Sequence, residues 1–296
     1  MTLIAVALAL LLERALAHVL HWRELGWVGG YYRWLRGRIE GSGAVAQTAG
    51  CIGGLLLLVL PVALAAIALD QGLPPMTWVV FAALVLVFSL GPRDLDSELE
   101  DYLAAESAGE TERARRAAAV IIEHDAAQRR EARAESVEEA AFVQANNRLF
   151  GVLFWFVVLG PTALGPVAAW LFRASDLLRR AAIADAATPP AVTGCFERIH
   201  FALAWLPARL VALTYALAGS FEEARREMGR SVGAVGRMLE RNDLLLVLAG
   251  RGALAGAEAA DSTAAAPARG ALRLIRRSLL IWLTIIALLS LGAWVA

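Results

Sequence analysis

The chain has 296 residues, 58% of them hydrophobic, with a mean hydropathy of +0.57. A soluble domain averages about 45–50% apolar residues even with glycine counted, so this composition excludes both an ordinary soluble globule and a disordered chain. The 28 basic and 28 acidic residues cancel, which leaves no basic excess for nucleic-acid binding.

Every basic residue is Arg, and no Lys is present, so a P-loop lysine and a Schiff-base lysine are excluded. The two cysteines, Cys51 and Cys195, have no CxxC spacing and support neither a disulfide framework nor a zinc site. The expected class is all-α: a polytopic helical membrane protein.

A membrane-spanning helix needs about 20 apolar residues. Met1–Leu20 reads as a retained first helix rather than a signal peptide, because it has no positive n-region and Glu13-Arg14 interrupts it. Ala44–Leu69, Met76–Leu90 and Ser278–Ala296 complete four firm spans. Leu149–Phe172, with Gly160-Pro161 and Gly165-Pro166, and Phe201–Gly219, with Pro207 and Arg209, are ambiguous. They either span or re-enter, and broken backbone at membrane depth is tolerated where it lines a cavity or packs on protein.

The Arg distribution sets orientation. Leu20–Gly43 holds Arg23, Arg33, Arg36 and Arg38, whereas the 70–75 turn holds none. The expectation is an inner-membrane protein with both termini outside and the 91–148 and 220–277 segments inside. This divides the chain into 1–90, 91–148, 149–219, 220–277 and 278–296.

Between the spans, Leu95, Leu99, Tyr102 and Leu103 share one helix face, and Gly109 ends that helix. Glu110–Arg133 centres on Val120-Ile121-Ile122, and a third helix is expected from near Ser136. Ser220–Glu223 matches a capping box for a helix running to about Arg241. Asp261–Gly270 reads as a linker of low complexity.

Glu13 is the most suggestive single residue, because ionisable groups at membrane depth face a partner or a cavity. His18 and His21 share a helix face but lack enough further ligands, so no metal is expected. Trp22, Trp27, Tyr31, Tyr32 and Trp34 look like an interfacial aromatic belt. Gly50–Gly54 contains GxxxG, which permits close packing within the bundle or between copies of the chain. Glu123-His124-Asp125 reads as a solvated helix face.

Three stretches carry a resemblance: Gly91–Ile122; Ala145–Phe172 with Phe154-Trp155-Phe156 and Leu159-Gly160-Pro161; and Leu206–Phe221 with Pro207–Leu210. Together with Leu11–Arg14 they resemble the AmpE-like inner-membrane proteins, which implies a regulatory role in β-lactamase induction and cell-wall recycling. These are in turn similar to the CobD/CbiB family, which joins an aminopropanol unit to a corrinoid carboxylate. Glu135-Ser136-Val137 with Glu139, Ser175-Asp176-Leu177, and Pro207–Leu210 stand where that family has corresponding elements. Its N-terminal Gly-Asp-Pro and His-Pro-Val elements are missing, and Ala140 and Asn146-Asn147-Arg148 replace its Asn and Asp-Gly.

The preferred expectation is therefore an AmpE-like signalling modulator, more a binding protein than an enzyme, with no cofactor. Its partners would be the bilayer and an anionic cell-wall or phosphate-bearing ligand held in an intramembrane cleft. Glu13, Asn146, Asn147, Arg148, Arg173, Asp176 and Arg209 are the candidate ligand-binding residues, because guanidinium groups take carboxylate or phosphate bidentately. The alternative is a CobD/CbiB-type adenosylcobinamide-phosphate synthase, which would activate a carboxylate with ATP and magnesium and use Glu135, Glu139 and Asp176. A third reading, from the broken helices, is a transporter or lipid-handling protein.

Overall fold

The computed structural model describes residues 5–9, 12, 26–72, 75–90, 95–123, 126–160, 164–230, 240–255 and 266–295. Among the described residues the protein is all-helical, as its composition requires. Twelve α-helices are α1 (Trp27–Ile39), α2 (Ala44–Gly72), α3 (Pro75–Leu90), α4 (Leu95–Ser107), α5 (Thr111–Ile122), α6 (Arg130–Ala145), α7 (Gly151–Val158), α8 (Gly165–Ala184), α9 (Pro190–Ala218), α10 (Phe221–Arg230), α11 (Glu240–Leu254) and α12 (Ala266–Val295). A π-turn, Asn146–Phe150, joins α6 to α7.

Four stretches are long and apolar enough to cross a membrane: Ala44–Leu69, Met76–Ser107, Arg130–Val158 and Pro190–Ala218. The protein is a polytopic helical membrane protein. Two of these ranges contain expected spans, and the fourth contains most of the ambiguous 201–219 stretch. The expected first span, with Glu13, Arg14, His18 and His21, lies almost wholly outside the described residues. The last expected span forms the C-terminal part of α12.

The chain divides into two compact units. The first takes Met1–Pro92, Gly151–Ala204 and Leu289–Ala296; the second takes Arg93–Phe150 and Trp205–Leu288.

The first unit has its core where α1, α2, α8 and α9 meet, with Val28, Tyr32, Leu35, Leu55, Trp170, Leu178 and Phe196 buried. Glycine permits the α1–α2 approach. A Cβ at Gly50 would lie 2.3 Å from Ile39 Cγ2, and one at Gly54 would lie 2.3 Å from Leu35 Cδ2. The GxxxG thus serves packing within the chain. Tyr31 Oη donates to Gly54 O at 2.6 Å, and Trp170 Nε1 donates to Leu58 O at 3.1 Å. Both contacts are made to carbonyls in the interior of α2. Gly165-Pro166 opens α8 with Pro in its first turn, where the missing N–H costs nothing. Cys51 and Cys195 are both buried and free.

The second unit has a core of Leu99, Tyr102, Ile121, Val137, Phe142, Phe150, Val211, Tyr215, Leu246 and Ile275. The α4 face follows the expected periodicity, and Gly109 ends the turn with φ +73°. The next boundaries differ from expectation. α5 stops at Ile122 because Glu123 adopts the left-handed conformation (φ 67°), and α6 begins at Arg130, well before Ser136. The Ser220 segment opens a helix described from Phe221 to Arg230, with residues 231–239 of the expected helix outside the described residues, and Ala266–Gly270 is the first turn and more of α12 rather than linker. Small residues let α10 and α11 touch. A Cβ on Gly252 would stand 2.6 Å from Ala224 Cα, and one on Gly219 would stand 2.4 Å from Ala253 O.

Candidate functional site

Each unit buries its own group of charged and amide side chains. In the first unit the centre is Asp176, which is fully buried on α8. The α-helical repeat places residues three and four positions away on the same face. Arg173 donates to Asp176 Oδ2 at 3.2 Å, Arg179 donates to Oδ1 at 2.7 Å, and Arg180 Nη2 lies 2.8 Å from Oδ2. From α9, His200 brings Nε2 to 3.9 Å from Asp176 Oδ1, while its Nδ1 pairs with Ser175 Oγ at 3.0 Å. Ser175 Oγ also reaches Phe172 O at 2.7 Å, and the Phe172 ring lies against His200.

Burial alone would raise the Asp176 pKa; Arg180, Arg179 and Arg173 outweigh it and hold the carboxyl well below the usual carboxylate range. At neutral pH Asp176 is therefore an anion that gathers three guanidiniums. At the end of the same helix, Arg36 donates to Asp185 at 2.9 Å, and Tyr32 Oη lies 2.7 Å from Thr188 Oγ1. These two contacts tie α1 to the α8–α9 turn.

In the second unit the centre is Arg148 in the π-turn. Its Nε donates to Gln144 Oε1 at 3.1 Å, one Nη to Glu98 at 2.7 Å, and the other to Glu123 at 3.1 Å. Asn146 and Asn147 are buried beside it; Asn146 donates to Asn147 Oδ1 at 3.2 Å. Asn146 Oδ1 is left with no hydrogen-bond partner although the residue is 1% exposed. A π-turn with an unsatisfied buried amide is a frequent mark of a functional segment. Glu123 is exposed as a residue, in keeping with its reading as a solvated position, and in addition its carboxylate reaches Arg148 at 3.1 Å; His124 and Asp125 lie outside the described residues.

Elsewhere in the second unit, Arg133 pairs with Glu106 at 3.1 Å, with Arg130 closing on the same carboxylate. Glu138 and Glu139 both meet Arg251, at 3.2 and 3.0 Å. Arg209 stacks over Trp205 at 4.0 Å and donates to Asn242 Oδ1 at 3.1 Å.

The candidate residues are thus distributed. Arg173 and Asp176 come together in the first unit, Asn146, Asn147 and Arg148 in the second, and Arg209 pairs with Asn242 there. Glu13 lies outside the described residues. Sequence reasoning missed Arg179, Arg180, His200, Glu98, Glu123 and Asn242. The first two were signalled by their i+3 and i+4 spacing from Asp176.

Fold and site define a helical membrane protein with buried, arginine-rich polar clusters. The family model described as CobD/Cbib protein matches residues 6–235. The chain belongs to the CobD/CbiB family. The cobalamin biosynthesis protein CobD of Stutzerimonas stutzeri is 34% identical over 172 residues, covering 57% of this chain and 54% of that relative. Its namesake in Chromobacterium violaceum is 30% identical over 196 residues, covering 62% and 54%. The chain spans about half the length of these curated relatives. No solved structure matches it.

These matches overturn the AmpE-like reading. β-Lactamase induction and cell-wall signalling have no support, and the wider family is the correct frame. The runs behind that reading are mostly apolar and helix-shaping, so they carry a fold without distinguishing the functions built on it.

Proposed function

We propose that the protein is a membrane-embedded enzyme of cobalamin biosynthesis, an amide ligase of the adenosylcobinamide-phosphate synthase type. The observation that carries this reading is the family match across residues 6–235, together with two relatives named for that pathway. Its reaction would form a C–N bond between the amine of an aminopropanol unit and a corrinoid carboxylate. ATP would phosphorylate the carboxylate, releasing ADP; the amine would then attack the acyl phosphate, the C–O bond to phosphate would break as the C–N bond forms, inorganic phosphate would leave, and a carboxylate would take the amine proton.

The chemistry of the clusters supports an anionic substrate. Asp176 fixes Arg173, Arg179 and Arg180 in one place, and guanidiniums bind carboxylate and phosphate through paired N–H groups. The Asn146 carbonyl is a buried acceptor suited to an amine or amide N–H. Arg148 shares the π-turn with Asn146 and Asn147 and ties it to Glu98, Glu123 and Gln144. Arg209 and Asn242 form a second polar point on α9 and α11. Glu135, exposed at the start of α6, and Glu139, held by Arg251, are the carboxylates available to take a proton from the attacking amine. The protein would work in the inner membrane with both termini outside.

The test is growth. The gene is placed in a cell that lacks its cobinamide synthase and depends on corrinoid synthesis. Rescue is expected. No rescue, with the protein shown in the membrane fraction, would overturn the enzymatic reading.

A further inference from the structure

Helix α1 has two faces of different chemistry. Val28, Tyr32, Leu35 and Ile39 are buried against the first unit's core, and Arg36 and Tyr32 turn inward to Asp185 and Thr188. The opposite face shows Trp27 (53% exposed), Gly30, Arg33, Trp34 (46% exposed), Gly37 and Arg38. Exposing both tryptophans of the helix reverses what a water-facing helix does with its largest apolar side chains.

The exposed face is also ordered internally. Tyr31 and Trp34 rings lie 5.6 Å apart, and Arg38 sits 4.8 Å above the Trp34 ring. Between residues 26 and 43 the only acidic residue is Glu40, beyond the end of the helix. The next helix, α2, begins at Ala44 and carries an exposed apolar face of Ile52, Leu56, Leu60, Leu64 and Ile67. α1 therefore adjoins the start of a candidate membrane span, which is where aromatic rings and arginines belong in a bilayer.

We infer that α1 is an interfacial helix that binds anionic phospholipid headgroups, with Trp27 and Trp34 at the acyl boundary and Arg33 and Arg38 on the lipid phosphates. Tryptophan supplies an apolar body with a polar N–H, which suits the headgroup depth. Two arginines on one face, without a carboxylate between them, complement the negative leaflet surface. The general worth of one basic residue near such a surface corresponds to about fivefold local lipid enrichment. The inward contacts of Arg36 and Tyr32 with the 185–188 turn fix which face is presented.

The test uses the full chain in phosphatidylcholine nanodiscs that contain a minority of brominated phosphatidylglycerol or, separately, the same fraction of brominated phosphatidylcholine. Tryptophan quenching is expected to be severalfold stronger from the anionic lipid. That excess should vanish in Arg33→Gln/Arg38→Gln, persist in Arg33→Lys/Arg38→Lys, and fall in Trp27→Phe/Trp34→Phe. Equal quenching by the two lipids, or an excess that survives both Arg33→Gln/Arg38→Gln and the tryptophan replacements, overturns the inference. Quenching of Trp27 and Trp34 by aqueous iodide alone would place the face in water or against a soluble partner and overturn it as well.

Discussion

Glu98 and Arg148 are fifty residues apart in the chain and 2.7 Å apart in space. The pair is buried on both sides and joins α4 to the π-turn, with Glu123 on the second Nη. A buried ion pair adds little net stability over an apolar pair, but losing one partner leaves a charge without compensation.

Arg148→Met should therefore destabilise the protein by about 3–5 kcal/mol, because Glu98 stays buried and charged. Adding Glu98→Leu should restore much of that loss. Thermal unfolding of the two variants in detergent checks this; equal Tm values for wild type and Arg148→Met would show that the pair is not buried as described.

Asp176 predicts a pH dependence. Its native pKa lies well below the ordinary carboxylate value, so its contribution to stability is present above that value and is lost as pH falls towards the native pKa. Asp176→Asn should cost about 3–5 kcal/mol at neutral pH, since it strips the shared anion from three arginines. The Tm difference between wild type and variant should stay constant from neutral pH to about pH 5 and narrow below about pH 4. A difference that grows on acidification would contradict the sign.

Gly252 and Gly229 form a matched pair. A methyl group on Gly252 meets Ala224 Cα at 2.6 Å and Glu223 O at 2.9 Å, whereas one on Gly229 meets nothing within 4 Å. Gly252→Ala should cost about 1–3 kcal/mol by forcing α10 from α11. Gly229→Ala should be neutral or stabilising by up to about 1 kcal/mol, from helix propensity. Chemical denaturation of both variants reads the contrast directly.

Glu135 separates chemistry from folding. It is exposed near the start of α6, so Glu135→Gln should leave Tm unchanged. If it takes the proton from the attacking amine, corrinoid-dependent growth should fall by about 100-fold or more in turnover terms. Unchanged growth would move that role to Glu139.

Much of this architecture is legible in the residues themselves. The apolar runs gave the 44–69 and 76–90 helices, and the Leu95-Leu99-Tyr102 period gave the α4 face, because helix period and burial are local properties. The break after Ile122 was not legible, since it depends on Glu123 accepting a left-handed backbone to reach Arg148. The same holds for Arg148 itself. Its type was conspicuous, but Glu98 and Glu123 are selected by tertiary packing that no local spacing encodes. The Asp176 cluster is the intermediate case, with three arginine partners on the same helix and a fourth group, His200, supplied by another. The AmpE-like reading failed for a related reason. It leaned on apolar and Gly-Pro positions, which shape helices in many membrane proteins and say little about the reaction.

The π-turn at Asn146–Phe150 has a consequence for length changes in this helix. A π-turn is an α-helix carrying one extra residue, and each residue turns an α-helix by about 100°. Removing one residue between Asn146 and Phe150 would convert the π-turn to regular α-helix. The side chains left in the turn would rotate away from Glu98 and Glu123. A single-codon deletion here would therefore undo the Arg148 ion pairs while leaving the local segment helical.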